Sequence, residues 1–180
     1  MKVNIVVTEQ EYSYLHRKLF PPGDSNEHFG FGLAGINRCH GGCDLLLRKF
    51  ISADSSCLLG KSGASVRPDP RFVDYVWTLA KKSSSHLIDF HTHPFSDINV
   101  SFSEIDDRSE SESFPKAVEC LGEGPHASIV LGKNSLDARW YNSQTNTLEP
   151  IDSVKILDDK LIIIIPTSSL QRRQILIERD

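Results

Sequence analysis

Apolar and polar positions along the chain switch repeatedly between a helical and a strand period. From Glu9 to Phe20, the residues Tyr12, Leu15, His16 and Leu19 recur on one helix face, and Pro21-Pro22-Gly23-Asp24 ends the run. Two strand-like segments follow, Phe29 to Ile36 and Asp44 to Ile51, joined as an antiparallel pair across Cys39-His40-Gly41-Gly42-Cys43. Residues 52–67 are rich in Ser and Gly, lack periodicity and read as a mobile surface loop, the kind that serves as a lid or partner contact. Asp69-Pro70 then opens a second helix to about Lys82, with Phe72, Val73, Val76, Leu79 and Ala80 as its apolar face and Ser83-Ser84-Ser85 as its stop.

His86 to His93 alternates as a strand. Ile88 and Phe90 fall on one side, while Asp89, His91 and His93 share the other, because successive side chains point to opposite faces. Further strands are expected at Ala127 to Leu131, at Leu136 to Tyr141 and near Val154 to Leu157. Leu161 to Ile165 reads as a buried strand, since five apolar residues fall far short of the roughly 20 that span a bilayer. Helices and strands mix without strict βαβ alternation or internal repeats. The expected class is α/β, a curved central sheet flanked by helices, with residues 1–165 as one domain and 166–180 as a C-terminal tail or linker.

At 180 residues the chain can bury a continuous core without disulfide staples. Its net charge of -4 argues against a general nucleic-acid or anionic-membrane surface. The opening Met1-Lys2-Val3-Asn4-Ile5-Val6-Val7 is too short for the core of a signal peptide, so a cytoplasmic location with reduced thiols is expected. Cys39-His40-Gly41-Gly42-Cys43 has a knuckle-like spacing, but no second half elsewhere completes a closed four-ligand site, and its thiols read as structural or incidental.

The candidate chemistry lies in His91-Thr92-His93-Pro94 and, downstream, Ser103-Glu104-Ile105-Asp106. A catalytic zinc takes three protein ligands and keeps one open position. His91, His93 and Asp106 supply three, from a strand end and the first turn of the next helix. Ser103-x-x-Asp106 is equally a capping-box helix start. Metal-assisted hydrolysis also needs a carboxylate to manage protons, and Glu27, just before the first glycine-rich strand, is a candidate.

Glu27-x-x-Gly30-Phe31-Gly32-Leu33-Ala34-Gly35, then His91-x-His93-Pro94 and Ser103-x-x-Asp106, resembles the signature of the JAMM (MPN-plus) zinc metalloproteases, which include ubiquitin-type isopeptidases. The resemblance spans about residues 3–157. It implies the JAB/MPN-like three-layer arrangement, with a curved, mixed, mostly antiparallel sheet between helices. It further implies Zn2+ on His91, His93 and Asp106, Glu27 as general base, Ser103 as a stabiliser of the tetrahedral oxyanion, and amide hydrolysis without a covalent intermediate. The gap from Pro94 to Ser103 is longer than the family's usual spacing; the shorter spacing lands on Ser101-x-x-Glu104, and Ser103 with Asp106 is preferred because both residue types are kept. Asp89 and Asp107 are further candidates as ligands or supporting partners.

The implied substrate is the peptide or isopeptide bond after the C-terminal tail of a ubiquitin-like protein, bound by strand addition. Residues 52–67 and 95–102 are the expected walls. Residues 171–180 weakly resemble the opening of ThiF-type activating-enzyme domains, which adds activating-enzyme-like and conjugating-enzyme-like partners, and a bacterial conjugation system in antiviral defence, to what the resemblance implies. Two other functions compete. Asp89-x-His91-x-His93 also resembles the start of an amidohydrolase barrel, but such barrels need about 250 residues, and beyond His93 this chain has a single histidine, His126. A non-catalytic scaffold of the same fold would dispense with the ligand set, and a DNA-directed relative would carry a basic surface.

Overall fold

A curled nine-stranded sheet forms the centre of the computed structural model, which describes residues 1–177, with side chains through Arg172. In chain order the elements are β1 (Lys2–Thr8), α1 (Glu9–Leu19), β2 (Phe29–Cys39), β3 (Gly42–Ser52), β4 (Leu58–Lys61), β5 (Val66–Pro68), α2 (Pro70–Lys82), β6 (His86–Thr92), α3 (Glu104–Leu121), β7 (His126–Leu131), β8 (Leu136–Asn142), β9 (Thr147–Pro150), β10 (Ser153–Leu157), β11 (Leu161–Ile164) and α4 (Thr167–Ile177). The strands lie in the order β11-β10-β1-β3-β2-β6-β7-β8-β9. Pairing is parallel where β1 meets β3 and β10 and where β6 meets β7, and antiparallel elsewhere. The α/β expectation holds at that level.

Helices cover both faces. α1 starts at Thr8, whose Oγ1 accepts the Glu11 N–H at 3.2 Å, and it drives Leu15 and Leu19 into a cluster with Ile5, Leu45, Ile88 and Phe90. α2 starts at Asp69, whose Oδ1 accepts the Arg71 N–H at 2.8 Å, with Pro70 in the first turn, where the missing N–H costs nothing. Its Phe72, Val76 and Ala80 join Phe31, Leu33, Leu87 and Ala117 of α3 in a second cluster. Ile88 and Leu87 are neighbours on one strand yet enter different clusters, so alternation along β6 separates the two layers. The glycines of β2 serve this packing: a Cβ on Gly32 would sit 2.6 Å from a Leu47 methyl and 2.8 Å from the Phe90 ring.

Four segments depart from the sequence expectations. Residues 52–67 are not an unstructured loop: a 3-10 turn at Ser55–Cys57 leads into the β4–β5 hairpin, short strands whose small polar composition hides the period. β1 is a full strand that no alternating pattern announces, because it pairs with two parallel neighbours and is buried on both sides. β11 is a strand as expected, but not a buried one. It occupies the sheet edge, with Leu161, Ile162 and Ile163 each about half exposed. The segment from residue 166 continues as α4, whose Thr167 and Ser169 are buried and hydrogen-bond to backbone carbonyls of Leu136 and Ile151. Most of the weak activating-enzyme resemblance, in residues 173–180, lies outside the described side chains. Among the described residues no helix is long and apolar enough to cross a membrane.

Candidate metal centre

β6 delivers its end to the first turn of α3. Period-two alternation puts His91 on the α3 side of the sheet, and His93 follows where the strand breaks, its N–H donating to the Leu131 carbonyl at 2.9 Å. Pro94 opens a reversal in which the Ser96 N–H returns to the His93 carbonyl at 2.9 Å. The connection is then tied to the β7–β8 turn: the Ser135 hydroxyl donates to the Asp97 carbonyl and accepts the Val100 N–H, and Asn134 donates to the Asp97 carboxylate at 2.6 Å. Eight residues between Pro94 and Ser103 are thus held as an ordered arch, and they deliver α3 with Asp106 facing the histidines.

The donors converge. One ligand atom from each of His91, His93 and Asp106 lies within 4.8 Å of the other two. His91 Nε2 is 3.2 Å from Asp106 Oδ1, and His93 Nε2 is 3.6 Å from Asp106 Oδ2. Both readings of Ser103-x-x-Asp106 apply at once. Asp106 Oδ2 accepts the Ser103 N–H at 2.7 Å and its hydroxyl at 2.8 Å, the Asp106 N–H donates to Ser103 Oγ at 3.3 Å, and the capping box leaves Oδ1 turned to His91. Glu104 is exposed, so the structure brings Asp106 rather than the shorter-spaced glutamate to the site.

Burial works against the Asp106 charge, but the close approach of the His91 and His93 imidazoles outweighs it and holds the carboxyl well below the usual range. His91 and His93 are 7% and 5% exposed, and the buried His91 Nε2 has no hydrogen-bond partner. A buried imidazole nitrogen aimed at a carboxylate and a second imidazole suits a divalent cation of the zinc type.

Glu27 arrives through sheet register. β2 and β6 pair antiparallel with Phe29 opposite His91, and the ladder continues as His28 N–H donates to Thr92 Oγ1 at 2.9 Å and Thr92 N–H to the His28 carbonyl at 3.1 Å. Glu27 therefore faces His93, with Oε1 at 3.8 Å from Nε2. It is 4% exposed, and burial raises its pKa to about 7, with His93 opposing and Asp106 reinforcing the shift. The Glu27 N–H donates to the Ser62 carbonyl at 2.8 Å, which fastens the β4–β5 hairpin over the site. Lys61 completes the attachment, 2.6 Å from Asp24 and 3.0 Å from His28.

The cluster itself lines a cavity of about 170 Å³ that reaches from Glu27 to Glu110. Asp89 lines it, two residues before His91, and Glu110 lines it one helical turn after Asp106. Burial, joined by the charge of Glu110, pushes Asp89 well above the usual carboxyl range. Glu110 is raised to about 7 by burial despite a 2.7 Å hydrogen bond from Arg139. Asp107 takes no part, because it turns outward to Arg139 at 2.6 Å. Asp89, a candidate ligand or supporting partner in the sequence, lies in this cavity and outside the three-donor group, and Glu110 was not among the candidates although its i+4 relation to Asp106 is readable. Among the described residues Cys39 and Cys43 belong to no metal-holding group.

No family model matches the chain, and no curated protein matches it. A solved structure shares its fold. The solution structure of protein DSY2949 from Desulfitobacterium hafniense superposes with a TM-score of 0.54 at 14% identity, covering 86% of this chain and 93% of that one. At that identity the likeness speaks for the arrangement of elements alone.

Proposed function

We propose that this chain is a zinc-dependent metalloprotease of the JAMM type, with the JAB/MPN-like arrangement of layers, that hydrolyses the peptide or isopeptide bond after the C-terminal tail of a ubiquitin-like protein. The observation that carries the reading is the convergence of His91, His93 and Asp106 with a buried glutamate opposite His93. The three donors would hold the ion, and a bound zinc supplies Lewis-acid polarisation of a carbonyl and acidification of water.

The chain's own groups do the rest. Glu27, with its pKa raised to about 7, accepts a proton from the attacking water and delivers it to the leaving amine. Ser103 donates its hydroxyl to the oxyanion, which requires turning that proton away from Asp106 Oδ2, its present acceptor. Among the described residues the β4–β5 hairpin pairs with no third strand and offers open edges to an extended tail, and Phe95, stacked on His93 at 5.3 Å and 65% exposed, forms the opposite wall. Activating-enzyme-like and conjugating-enzyme-like partners, a cytoplasmic setting and a role in bacterial antiviral conjugation belong to the same proposal. An acidic protein of net charge -4 with this site has no call on nucleic acid or membrane.

The test combines metal analysis with cleavage of ubiquitin-like fusions by the purified chain, by Glu27→Ala and by Asp106→Ala. Stoichiometric zinc and cleavage are expected for the native chain, zinc without cleavage for Glu27→Ala, and neither for Asp106→Ala. A native chain that takes up no metal and cleaves nothing would instead fit the non-catalytic scaffold.

A further inference from the structure

A histidine that holds a metal ordinarily has its second ring nitrogen fixed by a carboxylate or a backbone carbonyl. Among the described residues, no protein hydrogen bond does this for His91 or His93, whose side chains approach only carboxylates of the site itself. Aromatic contact orients the rings instead. His93 stacks on Phe95 at 5.3 Å, and His91 meets Phe102 at 5.9 Å. The two plates differ in support: Phe95 is 65% exposed, whereas the guanidinium of Arg139 lies over the Phe102 ring, 3.8 Å from its centroid.

Arg139 stands on β8, in register with Ser128 of β7 and through it with Asp89 of β6, so it rises on the same face of the sheet as His91. Its Nε donates to Glu110 at 2.7 Å and its Nη1 to Asp107 at 2.6 Å. Asp107 and Glu110 are three residues apart and share a face of α3, so the two bonds together fix the rotation of the helix about its axis. Asp106 is the neighbour of Asp107. A turn of the helix that swings Asp106 away from the histidines must therefore break this clamp. The third nitrogen, Nη2, is buried without an acceptor, a cost that a lysine at this position would avoid. What the guanidinium alone supplies is two diverging arms and a flat face for a ring.

We propose that Arg139 is the positioning residue of the metal centre, setting Asp106 through the clamp on α3 and the His91 ring through Phe102. The assignment rests on the metal-binding reading of His91, His93 and Asp106. Arg139 holds no ligand position, and Asp107 and Glu110 serve as its anchors. One side chain thereby joins the end of the arch to the first turns of the helix, the two segments whose relative placement decides whether the donors converge.

Zinc affinity by chelator competition, the visible spectrum of the cobalt-loaded chain and a urea melt test this in the native chain and three variants. Arg139→Lys keeps the charge and loses the flat face and one arm. Its zinc affinity should fall about 10–100-fold, the usual worth of a group that orients a ligand, and its cobalt bands, which report the arrangement of ligands, should shift. Phe102→Leu leaves both ion pairs in place and should move both readouts the same way, which carries the test should Arg139→Lys fail to fold. Lys155→Met breaks another partly buried pair, Lys155 with Asp44 at 3.0 Å across β1, and should move the melt alone. Native affinity with an unshifted spectrum in Arg139→Lys or Phe102→Leu overturns the assignment. An equal loss of affinity in Lys155→Met overturns it too, since the effect would then be one of stability. A native chain that binds no zinc removes the metal reading and this assignment together, whereas zinc held equally by the native chain and every variant removes the assignment and keeps the reading.

Discussion

β6 has two faces with opposite economies. Ile88 and Phe90, 0% and 2% exposed, are sealed under α1 among apolar neighbours, and the one unpartnered polar atom among the described residues of that face, His86 Nδ1, lies at the far end of the strand. Asp89 and His91 on the other face, with His93 just beyond, meet α3 across a cavity where burial is nearly as deep but leaves His91 Nε2 and Trp77 Nε1 unpartnered and holds two carboxyls above their ordinary range. One strand therefore serves as a stability element on one side and as a strained polar platform on the other. Native folds accept such local cost where a ligand repays it.

The comparison breaks most sharply at Asp106. Replacing it with Ala removes the donor that both imidazoles share, and metal content should fall to near zero with hydrolysis at background. Loss of the capping box should cost only about 1 kcal/mol. Elemental analysis alongside a urea melt separates the two effects, and a variant that keeps stoichiometric metal would show that the cluster is a capping arrangement and nothing more. Glu27→Gln should leave metal in place and slow cleavage about 10²–10⁴-fold, the usual worth of a general base. On the opposite face, Phe90→Ala should destabilise by roughly 3–5 kcal/mol through the cavity it leaves. Metal affinity of the folded fraction should stay unchanged, since no ligand atom lies on that side. A matching loss of affinity would mean that the two faces are mechanically coupled.

The two faces also differ in how far the sequence revealed them. His91 and His93 were legible from a period of two, α1 and α2 from caps and a period of 3.6, and Asp106 from its place three residues after a cap. Glu27 was legible only through resemblance, because its position opposite His93 is a matter of register between strands some sixty residues apart, which no local pattern encodes. β11 misled for a related reason. Its apolar run is the same whether the strand sits at the centre of a sheet or at its edge, and only the order of strands decides. The cavity needed both a strand step and a helix turn to be superposed in space before Asp89 and Glu110 could be seen as a pair.

Titration distinguishes the faces without altering the apolar one. Glu27 and Glu110 both rise from 4.5 to about 7 on folding. Between those values the folded protein holds protons that the unfolded chain releases, so each group makes stability fall as pH rises through that window. His126, lowered by burial to about 4, acts in the opposite sense up to its ordinary value of 6.5, so the difference between variant and native chain is the informative quantity. Urea melts in chelator should therefore show Glu27→Gln and Glu110→Gln gaining stability relative to the native chain as pH rises from about 4.5 to 7. A difference that stays flat across that range would mean that neither carboxyl is perturbed.

The smallest effect is expected at the edge of the polar face, where Lys61 bridges Asp24 and His28 and holds the hairpin wall beside Glu27. The hydrogen bond from Lys61 keeps the partly exposed Asp24 carboxyl well below its ordinary range, yet an ion pair so open to solvent contributes only a small amount. Lys61→Met keeps the length of the side chain and removes its charge. Stability should change only slightly, and the difference from the native chain should shrink further in 1 M salt, where charges more than about 3 Å apart are screened. A second attachment of the hairpin, the Glu27 N–H to the Ser62 carbonyl at 2.8 Å, is backbone and independent of salt. If the variant instead loses cleavage as fully as Glu27→Gln does, then the charge of Lys61, rather than that backbone tie, sets the position of the base.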